Sequence, residues 1–136
     1  MYASQMDLEN TYGRDLVTVL ADTNDDGLAN QEAITEALKS ASAIIDAYLG
    51  ARYSVPVYAT PVVRDLAVDI ALYRLAYSRL KQTAEMRQRY EDAIGLLMRI
   101  ADGKASIGLD LEEGDDDGST DQPGSIVGRT GFLERA

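Results

Sequence analysis

From Leu66 to Tyr77 the chain reads Leu-Ala-Val-Asp-Ile-Ala-Leu-Tyr-Arg-Leu-Ala-Tyr, and apolar side chains fall on nearly every side of a helix drawn through it. A helix without a polar face has to be covered all round, so other elements must surround it. This requirement points to an all-α domain with the segment as its central helix, spanning about Val62 to Leu80.

The covering elements are marked by start and stop signals. Ser4, three residues before Asp7, forms an N-terminal capping pattern with Asp in place of the usual Glu. It predicts a short helix from Gln5 to Tyr12 that ends at Gly13. Arg14 to Ala21 is a second turn or helix, with Leu16, Val19 and Leu20 apolar. Asn30 can cap a long helix to Leu49, because Ile34, Leu38, Ala41, Ile45, Tyr48 and Leu49 recur at three- and four-residue steps. Gly50 then suits the left-handed position past its end. Arg52 to Pro61, with two prolines and several β-branched residues, is an extended connector. Thr83 opens a last helix to about Asp102, with Met86, Tyr90, Ile94, Leu97 and Ala101 inward and Gly103 as its stop.

Beyond Gly103 the character changes. Ser106 to Leu111 can pair as a short strand. Residues 110–124 form an acidic segment rich in Gly, Ser and Asp, which reads as a flexible linker. Residues 125–136 regain apolar anchors, Ile126, Val127, Phe132 and Leu133, together with Arg129 and Arg135. Such a peptide suits addition to another subunit's sheet or groove. The organisation is therefore a helical domain over 1–109, a linker over 110–124 and a partner-binding peptide over 125–136, about four helices with an extended C-terminal tail.

Composition narrows the chemistry. The 136 residues include neither Cys nor His. Disulfides, thiolate nucleophiles and zinc–thiolate sites are excluded, as is any triad built on imidazole. With a formal charge of −10 the chain lacks the Lys and Arg excess that drives binding to duplex DNA. No run approaches the ~18–20 apolar residues that span a bilayer, and no basic–apolar leader opens the chain. These features predict a non-enzymatic protein with no cofactor.

Several groups of side chains suggest sites. Asp22, Asn24 and Asp26, followed by Gly27, resemble the start of a calcium loop, but position 12 of that pattern is Ala33 where a bidentate Glu is needed. The same residues suit a helix–helix loop, and that reading is preferred; a calcium-responsive binding module is the alternative. Asp65 and Asp69 share a helix face, and Asp69 is expected in a partly buried ion pair with Arg52. Tyr48, Tyr53, Tyr73, Tyr77 and Tyr90 are expected mostly in the core, and Tyr58, in the connector, at an interface. Arg74, Arg79, Lys81, Arg87, Arg89 and Arg99 form a basic run that is either a solvated face or a contact for an acidic partner, a neighbouring copy included.

A family resemblance rests on ordered pieces: Ile45-Asp46-Ala47-Tyr48-Leu49, Arg52-Tyr53, Val55-Pro56, Pro61, and Asp69-Ile70-Ala71-Leu72-Tyr73. Over roughly Tyr2 to Leu109 the chain resembles the Mu-type phage head–tail connector family, with Leu72 where that pattern leads to Arg. The resemblance implies a helical connector fold and a structural role in the virion neck. It implies a ring of copies, usually twelvefold, seated on the portal protein, and a surface for the next neck or tail-completion protein. DNA would pass through the channel without specific binding, and the C-terminal peptide would dock on the portal.

Overall fold

The computed structural model describes residues 1–108. They form α1 (Gln5–Tyr12), α2 (Arg14–Ala21), α3 (Gln31–Leu49), α4 (Pro61–Ser78) and α5 (Ala84–Ala101). Arg14–Ala21 is a full helix, so the domain has five helices where about four were expected, and among the described residues there is no strand.

Local capping explains the boundaries. Ser4 accepts the amide of Asp7, and the Asp7 carboxylate accepts the amide of Ser4. Asn30 accepts the amides of Glu32 and Ala33, and Thr83 that of Met86. Gly13, at φ 91°, separates α1 from α2 by one residue in a conformation that a Cβ would strain. The expectation for Gly50 fails. It is right-handed, at φ −59°, because the chain leaves α3 through tight turns in which Arg52 and Tyr53 both donate to Leu49 O.

The centre is α4. Val63, Leu66, Ala67, Val68, Ile70, Ala71, Leu72, Leu75 and Ala76 are all buried, at positions that encircle the helix. Its main partners are α3 and α5, and the α1–α2 hairpin covers the remaining side. Leu72, where the family pattern leads to Arg, is 1% exposed, in a core with no place for a lone charge.

Two contacts set the direction of packing. Arg79, at the end of α4, meets Asp25, in the loop before α3. Thr60, at the start of α4, bonds to Ile107, beyond the end of α5. The helix α4 therefore runs back along α3, and α5 back along α4. One end of the bundle carries the 22–30 loop and the α4–α5 turn. The opposite end carries the 50–60 connector and the outgoing chain. Ser106–Gly108, expected as the start of a strand, instead tucks the buried Ile107 under Thr60.

The N-terminus is tied down by Tyr2. Its amide donates to Ser42 Oγ at 3.0 Å, its hydroxyl donates to the Asp46 carboxylate, and the same hydroxyl accepts the Val57 amide at 2.9 Å. One phenol thus joins the N-terminus, α3 and the connector. Burial, aided by the bond to Asp46, pushes its pKa up to about 12. In the unfolded chain it titrates near 10, so above pH 10 the unfolded state loses the proton first. Stability is full below pH 10 and falls as pH rises towards 12. Screening by nearby water keeps the loss attributable to Tyr2 on the order of 1 kcal/mol. Tyr12 is shifted in the same direction. Urea unfolding at pH 9 and at pH 11.5 should show a smaller drop for Tyr2→Phe than for the native chain; equal drops would remove Tyr2 from the alkaline transition.

Candidate protein-binding surfaces

Asp69 is the hub of a partly buried network. Tyr12, at the end of α1, donates its hydroxyl to Asp69 Oδ1 at 2.6 Å. Arg89, on α5, reaches Tyr12 Oη at 3.3 Å and Asp69 Oδ1 at 3.7 Å, and its guanidinium stands 5.3 Å from the Tyr12 ring centroid. Three helices are therefore joined at one carboxylate. Burial raises the Asp69 pKa, opposed by the Tyr12 hydroxyl and by Arg89. The expected partner, Arg52, is not the one found. Arg52 sits in the connector beside Gly103, whereas Asp69 lies more than two turns into α4, roughly 12 Å further along at 1.5 Å per residue. At that level the passing cation is Arg89. Asp65 remains exposed.

The basic run divides. Arg89 belongs to the Asp69 network and also pairs with Glu85 at 3.7 Å. Arg79 is largely covered and holds Asp25 at 3.2 Å. Two of the six cations of the run are thus committed within the chain. Arg74, Lys81 and Arg87 are exposed, and no ion pair of theirs occurs among the described residues.

The 22–30 loop is closed by its own oxygens. The Asp22 carboxylate accepts the amides of Asp26 and Gly27 at 3.0 and 2.8 Å, and Asp26 accepts that of Leu28 at 3.0 Å. Although desolvation acts to raise it, these amide bonds hold the Asp22 carboxyl below the usual range. Asn30 donates to Thr23 Oγ1 at 2.8 Å, and Asp25 is turned to Arg79. Among the described residues no group of three or more acidic side chains is placed to hold a metal ion.

The tyrosines also divide. Tyr58 stands 75% exposed in the connector, and Tyr48, Tyr53, Tyr73 and Tyr90 are partly buried. Tyr77 departs from the expected core placement at 56% exposed. Tyr73 stacks on Tyr90 with centroids 4.5 Å apart and on Tyr77 at 6.0 Å. Together with Arg74 and Ser78 they line an open groove of about 550 Å³. Past Tyr77 the helix ends in a Schellman motif, with Lys81 N–H on Ala76 O and Leu80 N–H on Tyr77 O. The position that favours Gly there is Leu80, at φ 55° and 82% exposed. An exposed leucine in a left-handed conformation is costly twice over. The sequence signal was available: Leu80 lies between two cations just where the helix had to stop.

Ile126, Val127, Arg129, Phe132, Leu133 and Arg135, like the 110–124 segment, lie outside the described residues. None of the described helices is long and apolar enough to cross a membrane.

These features define a small all-helical protein with exposed aromatic and basic side chains on its surface. Comparison with known proteins is more specific. The family model described as Bacteriophage Mu, Gp36 matches residues 2–124. The Mu-like prophage FluMu protein gp36 of Haemophilus influenzae is 32% identical over 141 aligned positions, covering 98% of this chain and 99% of the relative. Gene product J of Escherichia phage Mu is 30% identical over 111 positions, covering 80% and 77%. The chain belongs to the phage Mu Gp36 family. It is a phage structural or morphogenesis protein.

Proposed function

We propose that the protein is a head–tail connector, an adaptor that forms a ring on the portal at the neck of a tailed phage or phage-like particle. Family membership across residues 2–124 carries this reading, since it ties nearly the whole chain to phage Mu and its prophage relatives. Partners are the portal protein below, neighbouring copies at the sides and the next neck or tail-completion protein above. The role is structural, with no catalysis. Tyr58, Lys81 and Arg87 are exposed and open to subunit contacts. The residues 125–136 tether the ring to the portal through Ile126, Val127, Phe132 and Leu133, flanked by Arg129 and Arg135. A net charge of −10 suits a channel wall that does not hold passing DNA, since like charges repel. Negative-stain images of the protein mixed with its phage's portal should show an added ring of density on the portal. Portal particles unchanged at saturating protein would refute the assignment.

A further inference from the structure

We propose that the groove of Tyr73, Tyr77 and Tyr90 receives Leu109–Asp117 of a second copy of the chain, making a head-to-tail subunit contact. The inference rests on the reading that copies assemble side by side, and it names the surfaces that join them.

The groove is chemically unusual for this protein. Its floor is three stacked phenol rings, one of them more than half exposed, and its lip is Arg74. Lys81, in the turn four residues after Tyr77, and Arg87, on α5 three residues before Tyr90, add cations in the sequence flanking the rings. Glu36 shares a neighbouring depression with Arg74. Of the cations between Tyr73 and Tyr90, Arg79 and Arg89 are paired within the chain, and Arg74, Lys81 and Arg87 have no ion pair among the described residues, in a chain whose net charge is −10. An aromatic groove with a basic rim fits a ligand that is both apolar and acidic.

The chain carries one such segment. Directly after Gly108 it reads Leu-Asp-Leu-Glu-Glu-Gly-Asp-Asp-Asp, two leucines at alternate positions and six carboxylates within Leu109–Asp117. In an extended backbone Leu109 and Leu111 share a side. They can enter the rings while the acids meet Arg74, Lys81 and Arg87.

Reach decides that the donor is another copy. Gly108 packs against Thr60, which caps the start of α4. Tyr73 lies 13 residues further along that helix, about 20 Å away at 1.5 Å per residue. Leu111 is three residues past Gly108 and extends at most ~10 Å from it. The leucines therefore fall short of their own groove, and only a neighbour's groove is open to them. Donor end and acceptor groove lie toward opposite ends of α4, so the contact is heterologous and repeats from copy to copy. It closes a ring if the rotation per step allows.

The absence of cysteine from the chain makes the test direct. Full-length Tyr77→Cys and Leu111→Cys variants, checked for native helicity by circular dichroism, are mixed and treated with a short bismaleimide. A covalent dimer is expected from the mixture, and a ladder of multimers from a chain carrying both changes. Adding Arg74→Glu and Arg87→Glu to the acceptor should cut the dimer yield about fivefold or more. The proposal is overturned if the double variant closes only on itself or if no dimer forms. It is also overturned if Met6→Cys, an exposed position on α1, serves as well as Tyr77→Cys. Rings seen on the portal by native protein whose variants fail to cross-link would leave the connector role standing and remove only this contact.

Discussion

A chain ending at Gly124 is expected to keep the helical signal and melting temperature of the full protein and to lose attachment to the portal. The folding half of that result follows from the core. Its fully buried side chains, among them Leu8, Leu20, Ile45, Ile70, Leu72, Leu97 and Ile107, come from all five helices and the segment after α5. The binding half follows from avidity. If each tail binds weakly, a ring is held by many at once, and an apparent affinity roughly 10²–10⁴ above that of one tail disappears with the tails. Phe132→Ser with Leu133→Ser in the full chain should reproduce most of the loss, since it removes the largest apolar anchors and leaves the length intact. Co-sedimentation with purified portal measures both. Undiminished attachment by the truncated chain would remove residues 125–136 from the interface.

Thr60→Val should cost the domain about 2–4 kcal/mol. Thr60 is 5% exposed. Its hydroxyl donates to Ile107 O at 2.6 Å and accepts the Val63 amide at 3.3 Å. Valine keeps the shape and removes both bonds. The helix loses its cap, worth ~1 kcal/mol, and a buried carbonyl is left without its partner, worth a further ~1–3 kcal/mol. Urea unfolding measures the total, and Thr60→Ser should recover most of it. The effect extends to assembly, because Ile107 is where the outgoing chain leaves the core. Faster hydrogen exchange at the Ile107 and Gly108 amides in the valine variant would report that release. A change in stability under ~0.5 kcal/mol would mean that Thr60 is not the latch.

The helix boundaries were legible because caps are local. Ser4, Asn30 and Thr83 each accept an amide two or three residues away, so residue type and spacing are enough to place them. The burial of α4 was legible for a similar reason, since an apolar surface on all sides admits only a covered helix. The family resemblance was legible from the order of short pieces between Ile45 and Tyr73. Less accessible were features that depend on where one element passes another. Arg52 and Arg89 are equally plausible partners for Asp69 in a linear reading; the level at which α5 crosses α4 selects Arg89. Tyr77 has the same helical spacing as buried neighbours, but the cover over α4 gives out in its last turn. Gly50 had the right residue type for a left-handed cap, and the course of the connector took it elsewhere.

What the sequence by itself determined is where helices begin and end, which of them lies at the centre, and that imidazole and thiol chemistry have no place here. Those properties depend on contacts within a few residues or on composition. The tertiary structure alone decided which charges neutralise one another, which tyrosines stay open to a partner, and that the chain leaves the core at the end of α4 remote from the aromatic groove. Each of these depends on distances between residues far apart in the chain, and such distances exist only once the helices have packed.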